Sequence, residues 1–396
     1  MRVAGFTAFV IRVPLRRPFR HASATRQSSD NLLVQCRLED GTTGWGEGVP
    51  RAYVTGDTAE DSLGLLAEQP LQARFDGDCS GWADVVAMLD RFHNFTVAGD
   101  TRGARGNPLR AAVEISVLDA FGQVFDKPLS DVGSAVVEAQ SLRTPPRAVR
   151  YSTTIDAEHA NRLWKSAVKM RLYGFRQCKV KIGCSADDDA ARLGTVRRWI
   201  GPRIDLRVDA NEAWDAQDFE RRAEPLLAHG ISCIEQPLPH EQLAELRALR
   251  SRVPVPIMLD ESLTSWQDAT AAIDLDAGDL WNLRLSKCGG FLACLRLAAL
   301  AQRHGRSYQL GCHPGETGIL SAAGRHWAQS VQNIRYCEGS YDRHVLAANL
   351  INEDITFRYG GWAPPLTAAG LGVSVDRGRL QAMVIQQQEH RLRETA

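Results

Sequence analysis

Five charged residues recur along the middle of this chain at a nearly constant step: Lys181, Asp209, Glu235, Asp260 and Lys287, each 25 to 28 residues after the one before. They close the short apolar runs QCKVK, IDLRVD, ISCIE, VPIMLD and LWNLRLSK. Taken singly, Asp209 or Asp260 can cap a helix and Glu235 a turn. Three carboxylates on consecutive units repel one another and call for a cation. Ligation by oxygen alone, with no His or Cys pattern beside it, points to Mg2+ or Mn2+. The two lysines flank this trio. Two bases with a divalent metal between them suit removal of the weakly acidic proton α to a carboxylate, the metal stabilising an enediolate as charge develops. The base must be neutral to act, so its pKa must fall. Lys179 shares a strand face with Lys181. Either its charge lowers the pKa of Lys181, or it donates to the substrate carboxylate.

The elements that must hold these groups follow from the texture after Val149, where short apolar strands alternate with helical stretches. Repeated βα units imply parallel strands with helices outside. Eight of them make a (β/α)8-type barrel of ~250 residues, with its active site at the C-terminal strand ends. In SADDDAARLGTVRRWIG, Ser185 suits an N-cap, aspartates fill the first turn and Gly201 ends the helix. The N-terminal part reads differently. FTAFVIRVPL and NLLVQCRLEDGTTGWGEG are strands, the first an edge strand. The polar segment 16–30 between them has no periodicity and reads as a mobile loop. Asn107 caps a helix that opens with Pro108. The expected fold class is thus α/β: a barrel domain (134–356), an α+β capping domain (1–133), and a tail (357–396) that returns to the cap.

Composition excludes other classes. Lysine plus arginine and aspartate plus glutamate are both 47, so net charge is zero, which gives nucleic acid and membrane surfaces no electrostatic purchase. No apolar run reaches the ~18 residues of a membrane span. The nine cysteines lack a CxxC pair, which favours free thiols and a cytoplasmic location.

With KVK (179–181), DAN (209–211), EQP (235–237), DES (260–262) and SKCGG (286–290) together, the chain resembles the enolase superfamily, in its muconate-lactonising-enzyme subgroup. GWGEG (44–48), YVTGDT (53–58) and AAVEISVLDAFGQVFDKPLSDVG (111–133) resemble that family's cap. The resemblance implies Mg2+ held by Asp209, Glu235 and Asp260, with Lys181 and Lys287 as the acid/base pair. It further implies that Lys179 assists, that Asn211 supports the metal site, that Glu316 in GETGI faces the substrate, and that the protein forms a homo-oligomer. Glu338 in CEGSYD stands where dipeptide epimerases of the family hold a substrate ammonium. Ser340 replaces their second acid, with Asp342 as a substitute. Cap loops 18–26 and 50–56 should reach the distal end of a small carboxylate substrate through Arg20, His21, Arg26, Arg51 and Tyr53, which favours an anionic distal group. His313 can line the same pocket.

The leading reading is racemisation or epimerisation of an N-acylamino acid or dipeptide-like substrate. A muconate-type cycloisomerase or a succinylbenzoate-synthase-like dehydratase is the alternative. From other classes, a Schiff-base lyase would use one lysine and no metal, and a non-catalytic metal-binding protein would bind without proton exchange.

Overall fold

The computed structural model describes residues 1–20, 25–156, 160–183 and 188–393. The chain opens with the antiparallel strands β1 (Val3–Arg20), β2 (Thr25–Leu38) and β3 (Thr43–Gly48). The polar segment expected as a loop is mostly strand. Phe19 pairs with Arg26 and Arg20 with Thr25 at the far end of a long hairpin. A ladder of backbone hydrogen bonds needs no apolar face, so periodicity could not reveal it.

Helices α1 (Ala59–Ala67), α2 (Leu71–Arg74), α3 (Trp82–His93) and α4 (Asn107–Val124) follow. Helix α4 lies directly on β3, which explains the alternating glycines of GWGEG. A Cβ at Gly44, Gly46 or Gly48 would fall inside contact distance of the α4 backbone, at Ala120 N, Ala112 O and Pro108 O respectively. The cap of α4 is Gly106, at φ 77°, rather than Asn107. Asn107 Nδ2 instead donates to Thr264 O (2.7 Å) and Lys287 O (3.0 Å), tying this helix to the barrel.

After the short β4 (Val149–Arg150) come the barrel strands: β5 (Thr153–Ile155), β6 (Gln177–Lys181), β7 (Asp205–Asp209), β8 (Ile231–Glu235), β9 (Ile257–Leu259), β10 (Leu280–Leu283), β11 (Ser307–Leu310) and β12 (Ile334–Cys337). All neighbours are parallel and lie in sequence order. The two ends of the sheet meet where the Ser152 N–H (2.7 Å) and hydroxyl (3.1 Å) both donate to Cys337 O. Helices α5 (Ala160–Leu172), α6 (Asp189–Ile200), α7 (Phe219–Leu227), α8 (Leu243–Arg250), α9 (Trp266–Asp274), α10 (Phe291–Arg303) and α11 (Gly318–Ser330) link the strands, and α12 (Asp342–Val345) follows β12. The α6 cap is Asp188, whose carboxylate accepts from Ala190 N and Ala191 N; Ser185 lies outside the described residues.

Beyond β13 (Trp362–Ala363) and α13 (Arg377–Met383), strand β14 (Val384–Arg391) pairs antiparallel with β1. The cap sheet runs β14-β1-β2-β3, so β1 is interior and not an edge.

Cap and barrel are joined by buried carboxylates. Glu47 of β3 accepts from the Thr317 and Leu320 N–H groups (both 3.1 Å to Oε2) at the start of α11. Glu114 of α4 accepts from Phe291 N and Leu292 N at the start of α10. Each acid satisfies N–H donors that a helix leaves open at its N-terminus. Burial still pushes their carboxyls up, Glu47 to about 7 and Glu114 to about 8, against those same hydrogen bonds.

Candidate active site

The barrel strands end on Lys181, Asp209 and Glu235, with Asp260 and Arg284 one residue past β9 and β10. Cα pairing aligns Lys181 with Asp209 and Asp209 with Glu235. A cavity of about 540 Å3 opens above them, its floor including Lys179, Lys181, Asp209, Asn211, Glu261 and Arg284.

Lys179 and Lys181 share the inner face, as strand alternation requires. Lys179 is not a bare charge beside Lys181. Its Nζ lies 3.2 Å from Asp209 Oδ2, 3.2 Å from Glu235 Oε2 and 3.0 Å from Glu338 Oε1. Burial opposes the charged ammonium, but Glu235, Glu338 and Asp209 outweigh it and hold Lys179 well above the ordinary lysine range. The charge that was to depress Lys181 is therefore compensated by three carboxylates. Glu338 also accepts from Arg207 (2.5 Å). Burial alone would raise the Glu338 carboxyl; Lys179, Arg207 and Arg284 bring it down to about 2.

The structure separates Lys287 from the cavity. β10 ends at Leu283, and residues 285–289 form a turn beneath it. Lys287 is wholly buried and donates to Asp260 O (2.7 Å), Asp260 Oδ1 (2.8 Å) and Asn282 O (2.7 Å). An ammonium has three N–H donors, and all three are engaged. Arg284 reaches the cavity in its place and pairs with Asp260 Oδ2. Burial favours protonation of Asp260, yet Arg284 and Lys287 keep it below the ordinary carboxylate range.

Asp209, Glu235 and Asp260 sit on adjacent strand ends, but their oxygens do not converge. Among the described residues the only three acid or histidine side chains whose ligand atoms gather within 4.8 Å are Glu212, His240 and Glu241. The donor chemistry nevertheless suits a hard cation. Asn211 Oδ1 and Glu261 Oε2 are buried acceptors with no hydrogen-bond partner. Burial, then Asp260 and Asp209, push the Glu261 carboxyl well up. Burial and Asp209 raise Glu235 to about 7 against the pull of Lys179. Oxygen acceptors crowded without donors are what a divalent ion relieves. The backbone turns sharply behind two of the acids: Asn211 and Gln236 take φ of 45° and 36°. The Gln236 side-chain carbonyl accepts from Asp260 N (2.8 Å) and Ser262 N (3.2 Å), fixing one acidic loop against the next.

The remaining sequence candidates divide. Tyr53 and Glu316 line the cavity. Burial raises Glu316 to about 8, although the His313 N–H donates to it. His313 lines the cavity, is buried, and neither ring nitrogen has a hydrogen-bond partner. Burial, then Arg284 and Arg51, keep it neutral. Asp342 accepts from Ser321 Oγ (2.6 Å) and Asn349 Nδ2 (2.9 Å). Since Glu338 is engaged by Lys179 and Arg207, neither acid is left to hold a substrate ammonium as the sequence suggested. Arg51 is a structural residue. It is buried and donates to Ser29 Oγ (2.6 Å) and Pro314 O (3.0 Å), fastening cap to barrel. Arg26 lies 5.1 Å over the Tyr53 ring. His21 and the Arg20 side chain lie outside the described residues. The cations that line the cavity mouth are Arg16, Arg17, Lys169 and Arg343.

Sequence reasoning missed Arg207, Glu261, Gln236 and Arg284. A signal for two of them existed. Lys179-Val180-Lys181, Arg207-Val208-Asp209 and Asn282-Leu283-Arg284 repeat one pattern of polar, apolar, polar at a strand end. Lys179 pairs with Arg207 across β6 and β7, and Asn282 Nδ2 donates to Glu235 Oε1 at 2.7 Å.

Residues 162–379 match the family described as Enolase C-terminal domain-like. The chain is 26% identical to the N-succinyl-L-Arg/Lys racemase of Bacillus cereus over 97% of its own length and 98% of that protein. The crystal structure of that racemase superposes with a TM-score of 0.86, covering 99% of this chain and 100% of the racemase at 25% identity. The muconate lactonizing enzyme of Pseudomonas fluorescens, complexed with muconolactone, gives 0.85 at 25% identity, covering 97% and 99%. The dipeptide epimerase of Enterococcus faecalis, complexed with Mg and L-Leu-L-Tyr, gives 0.81 at 26% identity, covering 94% and 100%. The chain belongs to the enolase superfamily, in the subgroup of the muconate lactonising enzymes. Its relatives there are racemases, epimerases and cycloisomerases, and it is an isomerase of that superfamily.

Proposed function

We propose that the protein removes the proton α to the carboxylate of a small acid, with Lys181 as the base and Asp209, Glu235 and Asp260 as ligands of Mg2+. The observation that carries this is the succession of Lys181 and the three acids at the ends of four consecutive barrel strands, with Lys181 and Asp209 lining the cavity. Mg2+ held there supplies the positive charge that makes the α-proton acidic. Lys181 takes the proton on its own side of the cavity, while Lys179 stays charged and holds Asp209, Glu235 and Glu338 in place. Cap residues Arg16, Arg17, Tyr53 and Val54 line the same cavity.

Relatives that act on N-succinyl amino acids and dipeptides support an amino-acid derivative as substrate. Arg16 and Arg17 at the mouth support a negative charge at its distal end. The eight described cysteines, all free, support a reducing cytoplasm. No described helix is long and apolar enough to cross a membrane. A homo-oligomer is proposed from the family resemblance.

The test is α-proton exchange in D2O, followed by NMR with N-succinyl-L-arginine, L-Leu-L-Tyr and muconolactone as probes. Exchange that stops on chelation and resumes with Mg2+ supports the proposal. Borohydride trapping of a probe on Lys181, indifferent to chelator, would replace it with Schiff-base chemistry.

A further inference from the structure

The two residues that face each other across the barrel are Lys181 and Arg284. They close β6 and β10, four strands apart in a ring of eight. Both line the cavity. Racemisation through two bases needs a lone pair on each side of the α-carbon. A guanidinium carries five donors and no acceptor. The lysine nearest in sequence cannot stand in, because Lys287 does not line the cavity and each of its N–H groups is engaged by Asp260 or Asn282.

We infer that this site is one-sided: the α-proton leaves to Lys181 and returns from Lys181, while Arg284 serves as a fixed cation on the opposite face. This rests on the reading of Lys181 given above. The α-C–H bond breaks, the proton goes to the Lys181 nitrogen, and the bonding pair passes into the substrate's enediolate. The pair then either recaptures a proton from the same nitrogen, or forms a C=C bond as an oxygen leaving group on the β-carbon departs with its own pair. The first course gives exchange with retention. The second opens a lactone to an unsaturated acid, and its reverse closes one. Neither needs a second base or an oxidant.

Three acids that line the cavity are already engaged. Glu338 is bonded to Lys179 and Arg207, and Asp342 to Ser321 and Asn349. Glu316 holds the His313 N–H. His313 brings two ring nitrogens without hydrogen-bond partners to the cavity, but an imidazolium there would sit beside Arg284 and Arg51, with an acid oxygen of Glu316 3.7 Å away. Its neutral nitrogens are placed to recognise substrate.

The experiment measures exchange and inversion together, by NMR and chiral chromatography, on the Mg2+-loaded protein with L-Leu-L-Tyr and N-succinyl-L-arginine in D2O. Wild type should exchange with retention, inversion lagging by at least roughly 10²-fold, the low end of what a positioned acid–base group contributes. Arg284→Lys, which restores a lone pair to the opposite face, should bring inversion up toward the exchange rate. His313→Asn should raise KM and leave the ratio of inversion to exchange unchanged. Inversion as fast as exchange in wild type overturns the inference, and its loss in His313→Asn would name the second base. No exchange with either dipeptide, acyl amino acid or muconolactone, with Mg2+ bound by calorimetry, removes the Lys181 reading and this inference with it.

Discussion

Lys179 Nζ lies 3.0 Å from Glu338 Oε1, and the same oxygen accepts from Arg207 at 2.5 Å. Acid and bases come from three different strand positions and are all buried. Removing one member of such a group leaves a buried charge without its partner. Glu338→Ala orphans Arg207 and should cost about 3–5 kcal/mol. Glu338→Ala/Arg207→Met should cost less than the sum of the single changes, because the double variant removes the stranded charge. Denaturant unfolding of the three variants measures both quantities.

Lys181 and Lys287 should behave oppositely when truncated. Lys181→Met lowers exchange by roughly 10²–10⁴-fold, the usual reach of a general base. Lys287→Met strips an ammonium from Asp260 and two carbonyl oxygens and destabilises the fold by several kcal/mol, on the order of a broken buried pair. Calorimetry and exchange on the same samples distinguish the two. A wild-type melting temperature in Lys287→Met would refute a structural role for Lys287.

Gly46 packs where the α4 backbone leaves no room for a side chain. Gly46→Ala forces strand and helix apart and should cost about 1–3 kcal/mol, as overpacking does. Gly64, on a helix with nothing near its added Cβ, is the control: Gly64→Ala should be neutral or slightly stabilising. Urea midpoints test the pair.

The Glu114 joint should make stability depend on pH. Its folded value, about 8, lies above that of an ordinary carboxyl. The native protein therefore holds a proton that the unfolded chain has released, and stability falls as pH rises toward 8. His93, 3.2 Å from Glu114 Oε2 and brought down to about 3 by burial, is already neutral above pH 6.5. Glu47, at about 7, acts in the same direction. The melting temperature should drop between pH 6.5 and 8.5, and Glu114→Gln should flatten that drop. A slope unchanged in the variant would assign it elsewhere.

The barrel was legible because each βα unit writes a complete local signature: an apolar run, a charged end and a capped helix. Lys181, Asp209, Glu235 and Asp260 could be found because the strands end on them or one residue before. Lys287 misled because SKCGG follows its strand without a break, so an apolar–polar run hid the passage from strand to turn at Arg284. The hairpin beyond Pro14 was invisible for the opposite reason: its pairing is between backbones, and Arg16, Arg17 and Pro18 are exposed. The contacts of Glu47 with Thr317 and of Glu114 with Leu292 join residues more than 170 positions apart, and no local pattern announces them.

Strand β14 fixes a timetable. It pairs with β1 yet follows every strand of the barrel. At 5–20 residues per second, a nascent chain carries β1 with one open edge for roughly 20–75 s before its partner is made. An open edge is a template for unwanted pairing, so the Gly5–Ile11 part of β1 stays open to mispairing until β14 is made.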